Sequence, residues 1–329
     1  MTDELRWGIL GAAGFAKAHM APAIHAAKGN RLAALATSSP DKAAPFRAID
    51  GALTAFDDYE ALLASDAVDA VYIPLPNHLH VEWSLKALAA GKHVLCEKPI
   101  AMTAGEIDRL IAARDESGLL AAEAFMILHH PQWQRAKALV ETGTLGELRH
   151  VDAVFSYNNP DGANIRNRPE TGGGGVPDIG VYTYGSVRYV TGAEPETLDA
   201  RIRWENGVDI WAQADAVMTG PTGRFTYSGM TSTRLAPRQQ VVFHGTEATL
   251  TLPAPFNAGV FGEAQVILRR TDGTETVERW PSVNHYVLQV ENFAASVREG
   301  AAYPVPLEFS QGTQAMIDMV FSHGRDISW

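Results

Sequence analysis

The sequence predicts an α/β protein of two domains: a doubly wound parallel sheet over residues 1–123, then an α+β domain over residues 124–329. Three observations carry that reading. A length of 329 residues suits two cores better than one. The first part alternates short runs, several apolar on both faces, with segments of helical spacing, the pattern of parallel strands joined by helical crossovers. From about residue 148 strands follow one another with few helices between them, which makes an antiparallel or mixed sheet.

In order, "LRWGIL" (5–10), "RLAALAT" (31–37), "AVDAVYI" (67–73), "KHVLC" (92–96) and "LLAAEA" (119–124) are predicted strands. Between them "FAKAHMAPAIHAAK", "DKAAPFRAI", "HVEWSLKALAAG" and "TAGEIDRLIAARDESG" have helical spacing, the last two stopping at Gly91 and Gly118. His129 and His130 stand before a buried helix start, where a histidine satisfies a backbone group. The second half reads as the strands "LRHVDAVFSY", "TLDARIRWEN", "DIWAQADAVMT", "GRFTYSGMT", "QQVVFHG", "ATLTLP" and "AQVILRRT". Helices interrupt it at 182–192 and 286–300, and a last helix, "SQGTQAMIDMVFSHGRD", has Ser310 as its N-cap.

An apolar fraction of 46% with 20% charged residues is ordinary for a globular chain, so no long disordered stretch is expected. The formal net charge of −11 argues against a nucleic-acid partner, because neutralising phosphates needs a basic surface. The single cysteine, Cys96, rules out an intrachain disulfide and a multi-cysteine metal site, and no metal is expected. It reads as a small buried residue. No apolar run approaches a membrane span, and "MTDELRWGIL" carries acids where a signal peptide has a basic start. The expected location is the cytoplasm.

"WGILGAAGFAKAHMAPAI" places a strand, a glycine turn and a helix in the order of a Rossmann dinucleotide site. Gly11, Ala13 and Ala16 occupy the three fingerprint slots, with Gly14 one place after the second. Gly11 permits the tight turn, Ala16 lets helix approach strand, and the open helix start over Ala12 to Phe15 offers N–H groups to a pyrophosphate. At the end of the second strand an NAD enzyme carries an acid for the ribose hydroxyl. Here stand Thr37, Ser38 and Ser39, with no acid before Asp41 and with Lys42 close by. Hydroxyls without a carboxylate favour a 2′-phosphate, so NADP(H) is expected, with NAD as the alternative. The same three residues also suit a helix cap. In "YIPLPNHLH", Asn77 or His78 is expected to cap the next helix, and Pro76, Asn77 and His80 to approach the ribose and nicotinamide.

"VLCEKPI" ends an apolar strand on Glu97 and Lys98 and then stiffens with Pro99. Proline restricts its predecessor to extended conformations, which fixes the direction of Lys98. "TGGGG" (171–175) calls for close backbone approach or unusual dihedrals ahead of "VPDIGVY". Asp178 and Tyr182 are four apart, so on a helix both face one way.

Taken together, "WGILGAAGFA", "PLPNHLH", "AGKHVLCEKPIA", "EAFMILHHPQWQRAKALVETGTLGELR" and "NIRNRPETGGGGVPDIGVYTYGSVRYVTGAEP" resemble the Gfo/Idh/MocA oxidoreductase family over essentially the whole chain. The likeness is to the branch holding glucose–fructose oxidoreductase, NADP-dependent D-xylose dehydrogenase and dihydrodiol dehydrogenase. The resemblance implies a Rossmann domain and a second domain with a large open sheet, which forms one wall of the active site and commonly the oligomer interface. It implies hydride transfer between the nicotinamide and a sugar or polyol carbon, and a homo-oligomer, dimer or tetramer. By resemblance the lysine of E-K-P is Lys98, beside nicotinamide and substrate, and the Lys98–Pro99 bond is cis. The family's aspartate and its tyrosine or histidine four residues later match Asp178 and Tyr182.

Alcohol oxidation needs a group that accepts the hydroxyl proton as hydride leaves. Tyrosine and lysine both titrate at about 10 unperturbed, so either must be shifted down to serve near neutrality. Tyr182 is read as the proton shuttle, Lys98 as polarising the substrate oxygen and Asp178 as orienting substrate or lysine, the last two roles being exchangeable. Glu97 supports Lys98, and both are counted among the cofactor-binding residues. Arg166 and Arg168 in "NIRNRPE" are candidates for substrate or cofactor contact, Arg166 being assigned to the cofactor. The function expected is an NADP-dependent aldose 1-dehydrogenase of the D-xylose or D-glucose type. Two alternatives stay open: an NADPH-dependent reductase of a keto-sugar or dicarbonyl, and a non-catalytic cofactor- or sugar-sensing regulator.

Overall fold

The computed structural model describes residues 4–328. The chain divides into two compact units, one running to His129 and taking Asn284–Gln311 as well, the other holding His130–Val283 and the residues from Gly312.

In the first unit β1 (Leu5–Leu10), β2 (Asn30–Ala36), β3 (Thr54–Phe56), β4 (Ala70–Ile73), β5 (His93–Glu97) and β6 (Ala121–Ala124) form one sheet in the order β3-β2-β1-β4-β5-β6. All its pairings are parallel. Helices α1 (Ala21–Ala26), α2 (Pro40–Arg47), α3 (Tyr59–Leu63), α4 (His80–Ala89) and α5 (Ala104–Ser117) make the crossovers. This is the predicted doubly wound sheet. Strand order reverses between β1 and β4, and ligands of such sheets bind outside the carboxyl ends of the strands at that point. Strands β4 and β6 are buried along their whole length, β4 as a continuous apolar run and β6 with Glu123 enclosed among alanines. The sequence reading lacks β3 and α3, whose three and five residues are too short to show a period.

The sequence reading assigns everything after residue 123 to the second domain. The helix α8 (His285–Glu299) instead packs on α1 and β2, with the Phe293 ring 4.9 Å from Trp7 of β1. Its apolar stripe announces a buried face without saying against which sheet. Ser310 is not an N-cap: the last helix, Leu307–His323, begins three residues earlier and buries it.

The second unit contains α6 (Pro131–Glu141), β7 (Leu148–Asn158), α7 (Val181–Thr191), β8 (Glu194–Glu205), β9 (Val208–Gly220), β10 (Gly223–Ser232), β11 (Arg234–Gly245), β12 (Ala248–Leu252), β13 (Ala264–Arg270), β14 (Glu275–Trp280) and β15 (Gly324–Asp326). Among the described residues these strands make one nine-stranded sheet, antiparallel except at β7/β10 and β8/β15. Strands alternate buried and open positions, so one face lies under α6 and α7 while Val217, Met230, Val242 and Ile267 stay half-exposed on the other. The predicted mostly antiparallel open sheet is present.

His130 does cap a helix: its Nδ1 accepts the Gln132 N–H at 3.1 Å at the start of α6. His129 meets side chains instead. Its Nδ1 accepts from the Asn292 amide at 2.8 Å and its Nε2 lies 3.2 Å from the Tyr303 hydroxyl. Burial pushes this imidazole down to about 3. The unfolded chain protonates it near 6.5 and the folded chain only near 3. The stability it contributes is therefore complete above pH 6.5 and lost as pH falls from 6.5 toward 3. Such a shift corresponds to roughly 5 kcal/mol at most. Thermal melts between pH 4 and 8 should show Tm falling over that window, and His129→Gln should flatten the fall while lowering Tm at pH 8. An unchanged slope in the variant would refute this account of the acid limb.

Candidate active site

Within the first unit the predicted cofactor residues gather at the carboxyl edge of the sheet. Gly11 turns with φ +100°, its N–H donating to the Ala36 carbonyl at 2.9 Å, and a Cβ there would come 3.1 Å from Leu75. The turn at the end of β1, the end of β2 and the loop after β4 thus meet. Gly14 and Phe15 begin a helix that passes through a π turn, Ala16–Met20, and continues as α1. First-turn N–H groups of a helix have no acceptor within it. A Cβ on Gly14 would meet nothing within 4 Å, so the protein itself leaves that side of the turn open. Ala12 and Ala13 present only methyls there. This donor set fits a dinucleotide pyrophosphate.

At the end of β2 the three hydroxyl residues separate. Thr37 is buried and its Oγ1 accepts the Ser39 N–H at 3.3 Å, so its hydroxyl serves the loop. Ser39 occupies the N-cap position of α2 without a side-chain capping bond. Ser38 and Lys42 are exposed, and no carboxylate stands at 37–39.

The loop after β4 corrects two expectations. The N-cap positions are Pro76 for the 3-10 turn Asn77–Leu79 and Leu79 for α4, so neither Asn77 nor His78 holds the cap. His80 is wholly buried, one ring nitrogen 2.7 Å from the Leu75 carbonyl and the other 2.7 Å from the Pro99 carbonyl. It reaches no ligand space; it ties the Leu75 loop to the loop carrying Lys98.

That second loop is held at every residue. Glu97 accepts from the buried Tyr72 hydroxyl at 2.5 Å, and burial with the Glu97 charge holds that phenol well above its usual range. Lys98–Pro99 is a cis bond, as the resemblance implies. The Ile100 N–H donates to Glu123 at 2.9 Å. Glu123 is buried beside β5, which pushes its carboxyl up, opposed by that N–H and by the Lys98 ammonium. Cys96 is buried as expected, its thiol pushed far up by burial.

Within the second unit the glycine run leads into a π turn, Val176–Gly180, that continues as α7. Asp178 and Tyr182 both lie on this helix and both are nearly buried. Asp178 Oδ2 accepts from the Tyr157 hydroxyl at 2.6 Å, and its Oδ1 lies 3.0 Å from Arg166 Nε. The Tyr182 ring packs 5.6 Å from Phe155 and 5.6 Å from Phe256. The Arg166 guanidinium, raised chiefly by Asp178, also stands within charge reach of Tyr157 and Tyr182. The structure therefore joins Asp178, Tyr182 and Arg166 in one cluster, whereas the sequence reading sets Arg166 apart with the cofactor. Tyr157, Phe155 and Phe256 were not singled out from sequence. Only the alternation of "VFSY" into the end of a strand bears on the first two. Arg168 pairs with Glu170 on the surface.

A phenol beside a guanidinium and a buried carboxylate is suited to exchanging a proton with a bound hydroxyl. A cationic loop at the edge of a dinucleotide-type sheet is suited to an electron-rich oxygen.

The comparisons agree. Residues 5–125 match the model of the Gfo/Idh/MocA oxidoreductase family with its NAD-binding Rossmann fold, and residues 133–251 match the family's C-terminal domain. The chain belongs to the Gfo/Idh/MocA oxidoreductase family. It is 33% identical to dTDP-3,4-didehydro-2,6-dideoxy-alpha-D-glucose 3-reductase of Actinomadura kijaniata, covering 99% of this chain and 97% of that one. It is 34% identical to D-xylose 1-dehydrogenase (NADP(+)) 2 of Haloferax volcanii, covering 96% of each. A crystal structure of KijD10, a 3-ketoreductase from Actinomadura kijaniata in complex with NADP and TDP-benzene, superposes with a TM-score of 0.88 at 31% identity over 99% of both chains.

Proposed function

We propose that this chain transfers a hydride between NADP(H) and a carbon of a sugar, with Tyr182 exchanging the proton of the reacting oxygen. The observation that carries the proposal is the Tyr182–Asp178–Arg166 cluster, a phenol within charge reach of a cation that a nearly buried carboxylate pairs with, in the domain that matches the C-terminal domain of an oxidoreductase family. The nicotinamide supplies or accepts the hydride when bound. Lys98 draws electron density from the substrate oxygen, which stabilises charge that grows in the transition state. Asp178 holds Arg166 and Tyr157 and so fixes the polar surroundings of Tyr182.

Two specificities compete. Oxidation of an aldose at its first carbon is the sequence expectation, supported by the likeness to a D-xylose dehydrogenase. Reduction of a keto-sugar is supported by the likeness to a 3-reductase in sequence and fold. A panel of aldoses, polyols and keto-sugars, some as nucleotide conjugates, followed at NADPH absorbance in both directions, separates them. Absence of turnover on the whole panel would refute the proposal.

For the cofactor, exposed Ser38 and Lys42 with no carboxylate at 37–39 support a 2′-phosphate. Ser38→Asp is expected to weaken NADP+ binding by about tenfold or more through charge repulsion while leaving NAD+ binding nearly unchanged. Fluorescence quenching titrations with both nucleotides measure it; equal NADP+ affinity in the variant would sink the assignment. The half-exposed apolar positions on the open sheet face support a homo-oligomer. Among the described residues no helix is long and apolar enough to cross a membrane.

A further inference from the structure

The glycine run 172–175 encloses a side chain from another element. Asp209 opens β9 and is 1% exposed. Its Oδ2 accepts the Val176 N–H at 2.7 Å, and the Gly175 N–H donates to the same carboxylate. A Cβ on Gly174, whose φ is +130°, would overlap Oδ1, and one on Gly175 would lie 3.1 Å from Oδ2. Two glycines are thus needed for the backbone to close around this group. The Asp178 N–H then bonds back to the Gly174 carbonyl at 3.2 Å, so the cradle passes directly into the helix turn that carries Asp178.

The carboxylate sits where the free N–H groups and the positive end of that helix favour an anion. Burial nonetheless pushes it up to about 7, opposed by the Val176 and Gly175 N–H groups and reinforced by the charge of Asp178. The buried Tyr184 hydroxyl also lies within reach of its charge. A buried carboxylate among such neighbours is a costly way to stabilise a fold. Departures of this kind gather where geometry must be held for function.

We infer that Asp209 is a positioning residue: its carboxylate fixes where the helix bearing Asp178 and Tyr182 begins, and hence where those two side chains point. The inference rests on the proposed hydride transfer, and Asp209 touches neither cofactor nor substrate in it. Asp209→Asn keeps the volume and one acceptor oxygen but turns an amide N–H toward backbone donors.

In the full chain this variant is expected to lose kcat by about tenfold to a hundredfold, as a small misplacement of reacting groups does. Its KM and NADPH dissociation constant should stay within about twofold of the parent, and the folded state should persist by circular dichroism. Should the asparagine variant not fold, Asp209→Ser, smaller and neutral, is judged by the same measurements. Tyr182→Phe in parallel tests the underlying reading, since full activity there removes hydride transfer through Tyr182, and the role of Asp209 with it. Given an inactive Tyr182→Phe, a kcat within about twofold of the parent for Asp209→Asn overturns the inference alone. So does a kcat loss matched by equal losses of NADPH binding and thermal stability, which would make Asp209 a folding residue only.

Discussion

Lys98→Ala is expected to lower kcat by about 100- to 10,000-fold while the NADPH dissociation constant changes by about threefold or less. The reason lies in how the loop is built. Its course is set by the Glu97 carboxylate on Tyr72, the Pro99 carbonyl on His80 and the Ile100 N–H on Glu123. These anchors are made by the residues on either side of Lys98, so they persist when its side chain is cut back. What is lost is a positive charge at the carboxyl edge of the sheet, where the proposed nucleotide site lies. Glu123 reports the same loss from inside: without the ammonium its carboxyl is pushed further up and stays neutral over a wider pH range. Steady-state kinetics with fluorescence titration of NADPH checks the prediction. Parent-like kcat would remove Lys98 from the mechanism, and lost NADPH binding would make it a cofactor residue instead.

Tyr182→Phe removes one hydroxyl and leaves the ring that packs on Phe155 and Phe256. The packing of the ring is therefore kept, and any change in thermal stability is confined to the contacts of the hydroxyl. The expected fall in kcat is about 100- to 10,000-fold, the range for losing a positioned proton-transfer group. The pH dependence discriminates further. A proton-transfer role predicts that oxidation in the parent speeds up as pH rises, because a base must accept the hydroxyl proton. The variant should lose that rise. A variant with parent kcat and an unchanged pH profile would assign the proton to another group.

The fold was legible where a period could be counted. "LRWGIL" coincides with β1, and the long strands of the second unit stand within a few residues of their predicted ends. Elements of three to five residues carry no period, hence the missing β3 and α3. The helix 285–299 showed an apolar face but not its partner, because Phe293 meets Trp7 across most of the chain. The site divides in the same way. Lys98, Asp178 and Tyr182 stand in short motifs whose chemistry is readable in place. His80 looked like a ligand residue because its loop is local, whereas the two carbonyls that bury it come from residues 75 and 99. Arg166, Tyr157 and Asp209 gain meaning only through Asp178 and the glycine cradle, contacts 12 to 33 residues apart in sequence that no spacing rule encodes.

The most direct test of the account follows one atom. NADPH carrying deuterium at the transferable C4 position is incubated with the keto-sugar, or the aldonic product of an aldose, that the panel identifies, and the sugar is analysed by mass spectrometry and NMR. Direct hydride transfer predicts one deuterium on the carbon that changes oxidation state and none in water. Deuterium retained on the cofactor, or washed into solvent, would contradict it.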